Sequence, residues 1–169
     1  TLDGDGRVIL DADGQGSVVE LLVPDVVLRG FIVRNSGSTV DREPAGIRAE
    51  AGPVIIEHNR LQDVFFGIDL RTSAGSTVAD NTIAGKPFDI GRRGDGIRLW
   101  WSNDCTVERN NVRDARDMVF WYSENLQIRD NSVEGCRYGL HFMYSHDTTL
   151  ARNNLRANSV GIYLMYSNR

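Results

Sequence analysis

A phrase of seven residues recurs four times between residues 96 and 167, and this repetition limits the folds open to the chain. The four copies cover residues 96–102, 117–123, 139–145 and 161–167. Each copy ends in serine, and the four serines lie 21, 22 and 22 residues apart. A fixed period of this length is typical of a solenoid, in which each repeat is one supersecondary unit stacked on the next.

Asparagine recurs with the same period as serine. Asn110, Asn131 and Asn153 each follow a repeat serine by eight residues, and Asn59 and Asn81 extend the series towards the N-terminus. We predict that these amides form a ladder at a turn, each hydrogen-bonded to the rung above and the rung below. Such a ladder is a structural feature and not a catalytic one.

Short β-branched runs and 17 glycines indicate strands joined by tight turns. A repeat of about 22 residues with three short strands predicts an all-β parallel β-helix. We expect one domain over residues 1–169, with irregular first rungs over 1–45, regular rungs over 46–169 and a projecting loop insertion at 85–92. We also expect the natural chain to continue past residue 169, because the last repeat is cut short without a polar cap.

Successive side chains of a strand point to opposite faces of the sheet. Residues at equivalent positions of successive repeats form a column, so the direction of one column fixes the direction of the others. Apolar columns must face the interior of the solenoid. Two of the predicted inward columns are Ile47, Ile68, Ile97, Met118, Leu140, Ile162 and Ala49, Leu70, Leu99, Phe120, Phe142, Leu164. Two others are Val78, Val107, Ile128, Leu150 and Leu61, Ile83, Val112, Val133, Leu155.

Composition excludes some classes of function. The net charge is −4, with 19 basic residues of which only Lys86 is lysine, so no basic tract suggests a nucleic-acid or anionic membrane surface. Cys105 and Cys136 occupy different columns of the repeat, and we expect no disulfide between them. Buried thiols are the simpler interpretation.

The outward columns hold the candidate functional residues. One column contains large apolar side chains where solvent normally selects polar ones, and it reads Glu50, Arg71, Trp100, Trp121, Met143, Met165. A second column beside it reads Trp101, Tyr122, Tyr144, Tyr166. Three interpretations stay open: the side chains are covered by a loop or another domain, they dock a partner, or the methionines bind a soft metal.

The metal hypothesis rests on thioether and imidazole ligands, which suit Cu(I). Met143 and Met165 lie in one column on adjacent rungs, where their sulfurs can share an ion. His141 lies two residues before Met143 on the same outward face, and His146 follows the Ser145 turn. These four residues are the predicted metal ligands.

The docking hypothesis rests on an aromatic surface of the kind that protein interfaces favour. The predicted partner-binding residues are Trp100, Trp101, Trp121, Tyr122, Tyr144 and Tyr166. A third class, a polysaccharide-binding or polysaccharide-modifying β-helix, has Asp69, Arg71, Asp95 and Arg98 as its candidates. Only Asp69 and Asp95 lie on adjacent rungs as a possible carboxyl pair, which is weak support for hydrolysis, so no catalytic residue is predicted.

Residues 94–102, 121–123, 137–147 and 160–167 closely resemble the NosD family of nitrous oxide reductase maturation proteins. The similarity extends back to residue 2, and the chain looks like the amino-terminal half to two-thirds of a family member. The resemblance implies a right-handed parallel β-helix in the periplasm, with carbohydrate-binding-type (CASH) repeats and no enzymatic activity.

The resemblance also implies partners and a cargo. Family members act with an ABC transporter made of the permease NosY and the ATPase NosF, and they help to deliver copper to nitrous oxide reductase. A NosL-like chaperone is the expected copper donor. The motif Met143-Tyr144-Ser145-His146 matches the family, although the match does not decide between copper binding and docking.

Overall fold

The computed structural model describes residues 1–168, in which nineteen strands and two short 3-10 helices are found. Arg169, the last residue of the predicted domain, lies outside the described residues. Every strand pair is parallel, and the strands form two sheets that wind around one core. The prediction of an all-β, right-handed parallel β-helix is confirmed.

One sheet has seven strands, and from β4 onwards its neighbouring strands are three apart in the order of the chain. Its members are β2 (Val19–Leu21), β4 (Ala45–Ala49), β7 (Phe66–Arg71), β10 (Ile97–Trp100), β13 (Asp117–Trp121), β16 (Tyr138–Met143) and β19 (Val160–Met165). This spacing means that each rung contributes one strand to this sheet. We refer to it as the seven-stranded sheet.

The other sheet has two arms that meet at β3 (Val26–Arg34). The first arm contains β5 (Val54–Glu57), β8 (Thr77–Ala79), β11 (Thr106–Glu108), β14 (Gln127–Arg129) and β17 (Thr149–Ala151). The second arm contains β6 (Arg60–Val64), β9 (Thr82–Gly85), β12 (Asn111–Arg113), β15 (Ser132–Glu134) and β18 (Asn154–Arg156). The two arms and the seven-stranded sheet are the three faces of the solenoid.

The first rungs bend where glycine permits it. β3 pairs with β5 before Gly30 and with β6 after it, and Gly30 has φ +69°, a conformation that costs glycine little. β1 (Leu2–Asp11) lies along β3. Its register shifts between Asp3 and Val8, where Asp5 and Gly6 also have positive φ.

The core contains most of the predicted inward columns, in the predicted register. Leu150, Ile162 and Leu164 are instead 38%, 47% and 61% exposed, because β17 and β19 are edge strands on which no described strand stacks. Ile68, Ile97 and Met118 are paired on successive strands and are fully buried. Phe120 and Phe142 lie in the next column, and their rings stack with centroids 4.9 Å apart. Burial of these side chains is the main favourable contribution to folding.

Both cysteines lie in this core as free thiols. Burial raises the pKa of each, for Cys105 and for Cys136 to about 11. Neither thiol is therefore a reactive thiolate at neutral pH.

The asparagine ladder is confirmed. The backbone N–H and side-chain amide of Asn81 donate to Oδ1 of Asn110 at 3.0 and 3.1 Å, and Asn110 donates in the same way to Asn131. The side-chain amide of Asn110 also donates to the carbonyl of Val78 at 2.9 Å. Each buried amide is thereby satisfied by two neighbouring rungs.

The repeat serines form a second ladder that the sequence analysis used only as a marker of the period. The backbone N–H of Ser73 donates to Oγ of Ser102 at 3.0 Å, and that of Ser102 donates to Ser123 at the same distance. Ser145 and Ser167 continue the series. This ladder holds the corner between the seven-stranded sheet and the first arm.

The insertion at 85–92 contains the second 3-10 helix, Ile90–Arg92; the first is Val40–Arg42. Phe88 packs against a small apolar cluster of Ala45, Phe65 and Phe66. Arg93, just after the insertion, donates to the carbonyls of Phe88 and Gly135 at 2.7 and 2.9 Å. The insertion therefore lies against the corner that precedes the seven-stranded sheet.

The asparagine ladder predicts that alanine substitutions at two neighbouring positions lower the free energy of unfolding by very different amounts. Asn110→Ala should lower the free energy of unfolding by about 2–4 kcal/mol, because it leaves several buried polar groups without partners. Asn111→Ala removes an exposed side chain and should change it by less than about 0.5 kcal/mol. Urea denaturation of both variants checks this, and equal effects would contradict the structural role of the ladder.

Candidate functional site

An ion network covers the outward face of the seven-stranded sheet near its centre. Asp69 is fully buried, and Arg98 is only 3% exposed. Arg98 donates to Oδ1 of Asp69 at 2.9 Å and to both carboxylate oxygens of Glu43 at 3.0 and 2.9 Å. Glu43 follows the first 3-10 helix, so a loop reaches over the sheet at this point.

Two further arginines complete the network. Arg48 and Arg71 donate to Oδ2 of Asp69 at 3.2 and 2.9 Å. The hydrogen bonds from Arg98 hold the pKa of Glu43 below its ordinary value, although partial burial opposes them. A buried carboxylate with three guanidinium partners is charge-compensated, which is the condition for keeping it in the interior.

Asp95, the second carboxyl of the polysaccharide hypothesis, is also buried and paired. Its two oxygens accept from Arg116 at 3.0 Å each. Burial raises the pKa of Asp95 to about 6 despite this partner. A raised pKa is a feature of catalytic acids, but both oxygens of Asp95 already have partners and the group is 1% exposed. The candidates of the polysaccharide hypothesis therefore lie in ion networks.

His141 lies on the outward side of β16, but it is only 7% exposed. Its Nδ1 lies 3.3 Å from Oδ2 of Asp117. Its Nε2 is buried and has no hydrogen-bond partner within residues 1–168. The rings of Tyr138, Trp121 and Tyr163 pack around the imidazole with centroids 5.0, 6.1 and 5.3 Å away.

Met143 and Met165 are neighbours on adjacent strands, as the column assignment predicted. Both are half-buried. Trp121 is the partner of Met143 on the preceding strand, and its indole Nε1 is also buried without a partner in the described part of the chain. His141 and Met143 point to the same side of β16, because they are two residues apart on one strand.

The rung that carries His141 contains one additional residue. Between β13 and β16 the register shifts, so that Asp117 pairs with Tyr138 while Val119 pairs with His141. The serine spacing of 22 in place of 21 is the trace of this shift in the sequence. The additional residue lies at the start of β16, next to the Asp117 side chain.

His146 lies apart from this group along the chain, beyond the Ser145 corner. Its Nδ1 accepts a hydrogen bond from the backbone N–H of Asn168 at 3.1 Å. The structure thus brings together His141, Met143 and Met165 on one sheet face, and it places His146 past the turn.

The predicted partner-binding residues fall into two groups. Trp101, Tyr122, Tyr144 and Tyr166 form an aromatic ladder at the corner after the seven-stranded sheet, with ring centroids 4.8, 5.1 and 5.0 Å apart. Trp100 and Trp121 lie on the sheet face. Trp100 is 37% exposed, and the Arg71 guanidinium carbon lies 5.9 Å from the centroid of its ring.

The aromatic ladder is built by backbone conformation as well as by ring stacking. All four residues have φ between +49° and +51°, the left-handed conformation that turns the chain at this corner. Trp101 and Tyr166 are 58% and 69% exposed. Because neighbouring rings cover one another's faces, the ladder presents mainly ring edges and hydroxyl groups to solvent.

Asp117 is the residue that the sequence analysis missed. It is fully buried, and it accepts hydrogen bonds from Arg137 and from the backbone N–H of Tyr138 in addition to its contact with His141. Its outward position at the start of β13 follows from the strand alternation. Its contact with His141, however, depends on the register shift.

Within residues 1–168, no three side chains of His, Cys, Asp or Glu are grouped so that they could hold a metal ion. Methionine sulfur is not among those donors. The same residues contain no helix that is long and apolar enough to cross a membrane.

The fold and the face just described define a class, a parallel β-helix with soft donor atoms and stacked aromatic rings on its outer surface. Residues 79–169, more than half of the chain, match the family described as "Periplasmic copper-binding protein (NosD)". The chain belongs to the NosD family, and the resemblance drawn from the sequence is confirmed.

Two relatives extend this comparison. A protein of Pseudomonas aeruginosa named "Probable ABC transporter binding protein NosD" is 35% identical over 112 residues, which are 64% of this chain and 26% of that protein. A protein of Stutzerimonas stutzeri with the same name is 31% identical over 120 residues, with the same coverage of 64% and 26%. The chain thus spans about a quarter of the curated relatives it matches, and both are named as binding proteins and not as enzymes.

The pKa of Asp95 predicts a specific dependence of stability on pH. Between about pH 4 and 6 the folded protein keeps a proton on Asp95 that the unfolded chain releases, so this group makes stability fall as pH rises. Asp95→Asn removes that dependence. The unfolding free energy of Asp95→Asn minus that of the wild type should therefore increase by about 2–3 kcal/mol from pH 4 to pH 7.

Urea denaturation at both pH values measures this difference. Asp41→Asn, which changes an exposed carboxylate, is the control and should show no comparable trend. A difference for Asp95→Asn that does not vary with pH would show that burial does not raise the pKa of Asp95.

Proposed function

We propose that this chain is part of a periplasmic accessory protein that binds Cu(I) as cargo and passes it on during maturation of nitrous oxide reductase. The observation that carries the proposal is the buried, unpartnered Nε2 of His141 on the same sheet face as Met143 and Met165. Membership of a family described as copper-binding supports it. The role proposed is binding and transfer, with no catalytic residue.

The donor set suits Cu(I) and fits the residues present. Thioether sulfur and neutral imidazole are ligands that Cu(I) prefers over harder cations. Adjacent strands lie about 4.8 Å apart, so one ion between Met143 and Met165 can contact both sulfurs. His141 supplies the third ligand from the neighbouring outward position of β16.

The surroundings favour a soft, monovalent ion over a hard divalent one. The three ligands are neutral, and the rings of Tyr138, Tyr163 and Trp121 enclose the imidazole. A dication in such a site would lack the carboxylate or water ligands that hard metals require. His146 remains a predicted ligand only for an ion that reaches past the Ser145 corner, for example during transfer.

The aromatic ladder is proposed as the docking surface for a partner in copper delivery. Both curated relatives are named ABC transporter binding proteins, so a NosY-type permease working with a NosF-type ATPase is the proposed partner. A NosL-like copper donor and nitrous oxide reductase itself are the proposed source and recipient. Exposed Tyr and Trp side chains that are already ordered bind partners at little cost in conformational entropy.

The ligand assignment is tested by replacing both thioethers. Met143→Leu/Met165→Leu should lower the Cu(I) affinity by at least about 100-fold, more than the roughly 10–100-fold typical of losing an outer contact. Leucine has a similar volume, so folding should be retained. Titration against a competing Cu(I) chelator measures the affinity and the stoichiometry.

Met118→Leu is the matched control, because Met118 is the third methionine and is fully buried in the core. It should leave Cu(I) binding unchanged. His141→Gln should lower the affinity to a similar degree as the double variant. Unchanged stoichiometry and affinity in both site variants would remove the metal assignment from this face.

The docking surface is tested by changing exposed rings that do not contact His141. Trp101→Ala/Tyr144→Ala should reduce co-purification with the permease and ATPase by at least about 10-fold, as expected for loss of aromatic anchors. Cu(I) affinity should stay at the wild-type value, because both rings lie at the corner after the sheet and not among the rings that pack around His141.

Val23→Ala, which alters an exposed apolar residue near the other end of the stack, is the control and should bind the transporter normally. Full retention of the transporter by Trp101→Ala/Tyr144→Ala would exclude the ladder as the docking surface.

A further inference from the structure

We propose that Asp117 is a positioning residue that fixes the tautomer of His141, so that Nε2 presents its lone pair to the cargo ion. Only the expected effect of Asp117 on Cu(I) affinity rests on the proposed function. The tautomer itself is a property of the metal-free protein.

Asp117 is placed as the acceptor in an ion pair. The Arg137 guanidinium donates to both of its oxygens, and the backbone N–H of Tyr138 donates to Oδ1. Asp117 therefore lies in this pocket as a carboxylate. An ionised carboxylate can only accept hydrogen bonds.

The state of His141 follows from that of Asp117. Since Oδ2 of Asp117 lies 3.3 Å from Nδ1, the hydrogen between the two atoms must belong to the imidazole. In the neutral ring, a hydrogen on Nδ1 leaves Nε2 as the atom with the free lone pair. That atom is buried and has no partner among the described residues.

Asp117 is itself held in place. Arg137 donates to both of its oxygens, with Nε 3.1 Å from Oδ1, and the N–H of Tyr138 donates to Oδ1 at 3.0 Å. The Arg137 guanidinium lies over the Tyr138 ring at 4.4 Å, and Tyr138 stacks on Tyr163 at 4.8 Å. The same side chains therefore fix the carboxylate and confine the imidazole ring.

The arrangement is the one by which proteins prepare a histidine for a metal. A ligating imidazole commonly donates its second N–H to a carboxylate, which fixes the ring and raises the basicity of the ligating nitrogen. Here the carboxylate and the ring come from adjacent rungs, and the additional residue near the start of β16 places His141 opposite Val119 while Tyr138 stays opposite Asp117.

The structure supplies an internal reference in His146. Its Nδ1 accepts the backbone N–H of Asn168 at 3.1 Å, so its hydrogen must lie on Nε2 in the neutral ring. His141 and His146 are thus expected to be opposite tautomers in the same molecule.

Long-range 1H–15N correlation spectra of the 15N-labelled, metal-free chain at about pH 8, above the ordinary titration range of imidazole, read both tautomers directly. His141→Gln assigns the His141 signals. The wild type should show Nδ1 of His141 protonated and Nε2 unprotonated, with the reverse for His146. Protonation of His141 at Nε2 in the wild type would overturn the inference without any variant.

Asp117→Asn should abolish the preference of His141 for the Nδ1–H tautomer and should weaken Cu(I) binding by roughly 10–100-fold at unchanged stoichiometry. Asp95→Asn is the control for loss of a buried carboxylate. Arg137→Lys is the control for disturbance of the ion pair between Asp117 and Arg137. Both control variants should keep the wild-type tautomer of His141. A general disturbance of the structure would instead change the tautomer in the controls as well as in Asp117→Asn.

The Cu(I) affinities and the tautomer spectra test separate claims. Wild-type Cu(I) affinity in Asp117→Asn, together with a clear loss in His141→Gln, would overturn the role of Asp117 and leave the proposed function standing. Unchanged affinity in His141→Gln would instead overturn the ligand assignment, while the spectra still decide whether Asp117 sets the tautomer.

Discussion

The whole structure depends on hydrogen bonding between successive rungs in a constant register. Parallel backbone pairing supplies one set of these bonds, and the asparagine and serine ladders supply two more at the corners. Because side chains alternate from one face of a strand to the other, a slip of one residue would move every core side chain to the surface. The side-chain ladders oppose such a slip, since each amide fits only one position of the next rung.

Constant register converts repeats in the sequence into columns in space. Residues about 22 apart in the chain become neighbours, which is why Trp101, Tyr122, Tyr144 and Tyr166 stack at 4.8 to 5.1 Å. The same rule places Met143 beside Met165 and buries Asp69 among arginines from three strands. A solenoid can therefore build a line of like side chains, which favours docking, or a cluster of complementary ones, which favours a site.

The group around His141 arises where the repetition is broken. Tyr138 stays opposite Asp117, and one additional residue in β16 then places His141 opposite Val119. The Asp117 carboxylate therefore contacts both the backbone N–H of Tyr138 and the imidazole of His141. Buried polar atoms without partners are uncommon in folded proteins, and Nε2 of His141 is one of them. The departure from the repeat, and not the repeat itself, sets this histidine apart from the rest of the outward column.

The sequence by itself determined the solenoid, its period, the inward columns and the asparagine ladder, because each depends on a local pattern that constant stacking repeats. Membership of the NosD family also followed from it. The burial of His141, its contact with Asp117 and the ion network around Asp69 were decided only by the tertiary structure. These features depend on loops that reach over the sheet and on one register shift, and neither the path of a loop nor the place of a bulge follows from periodicity.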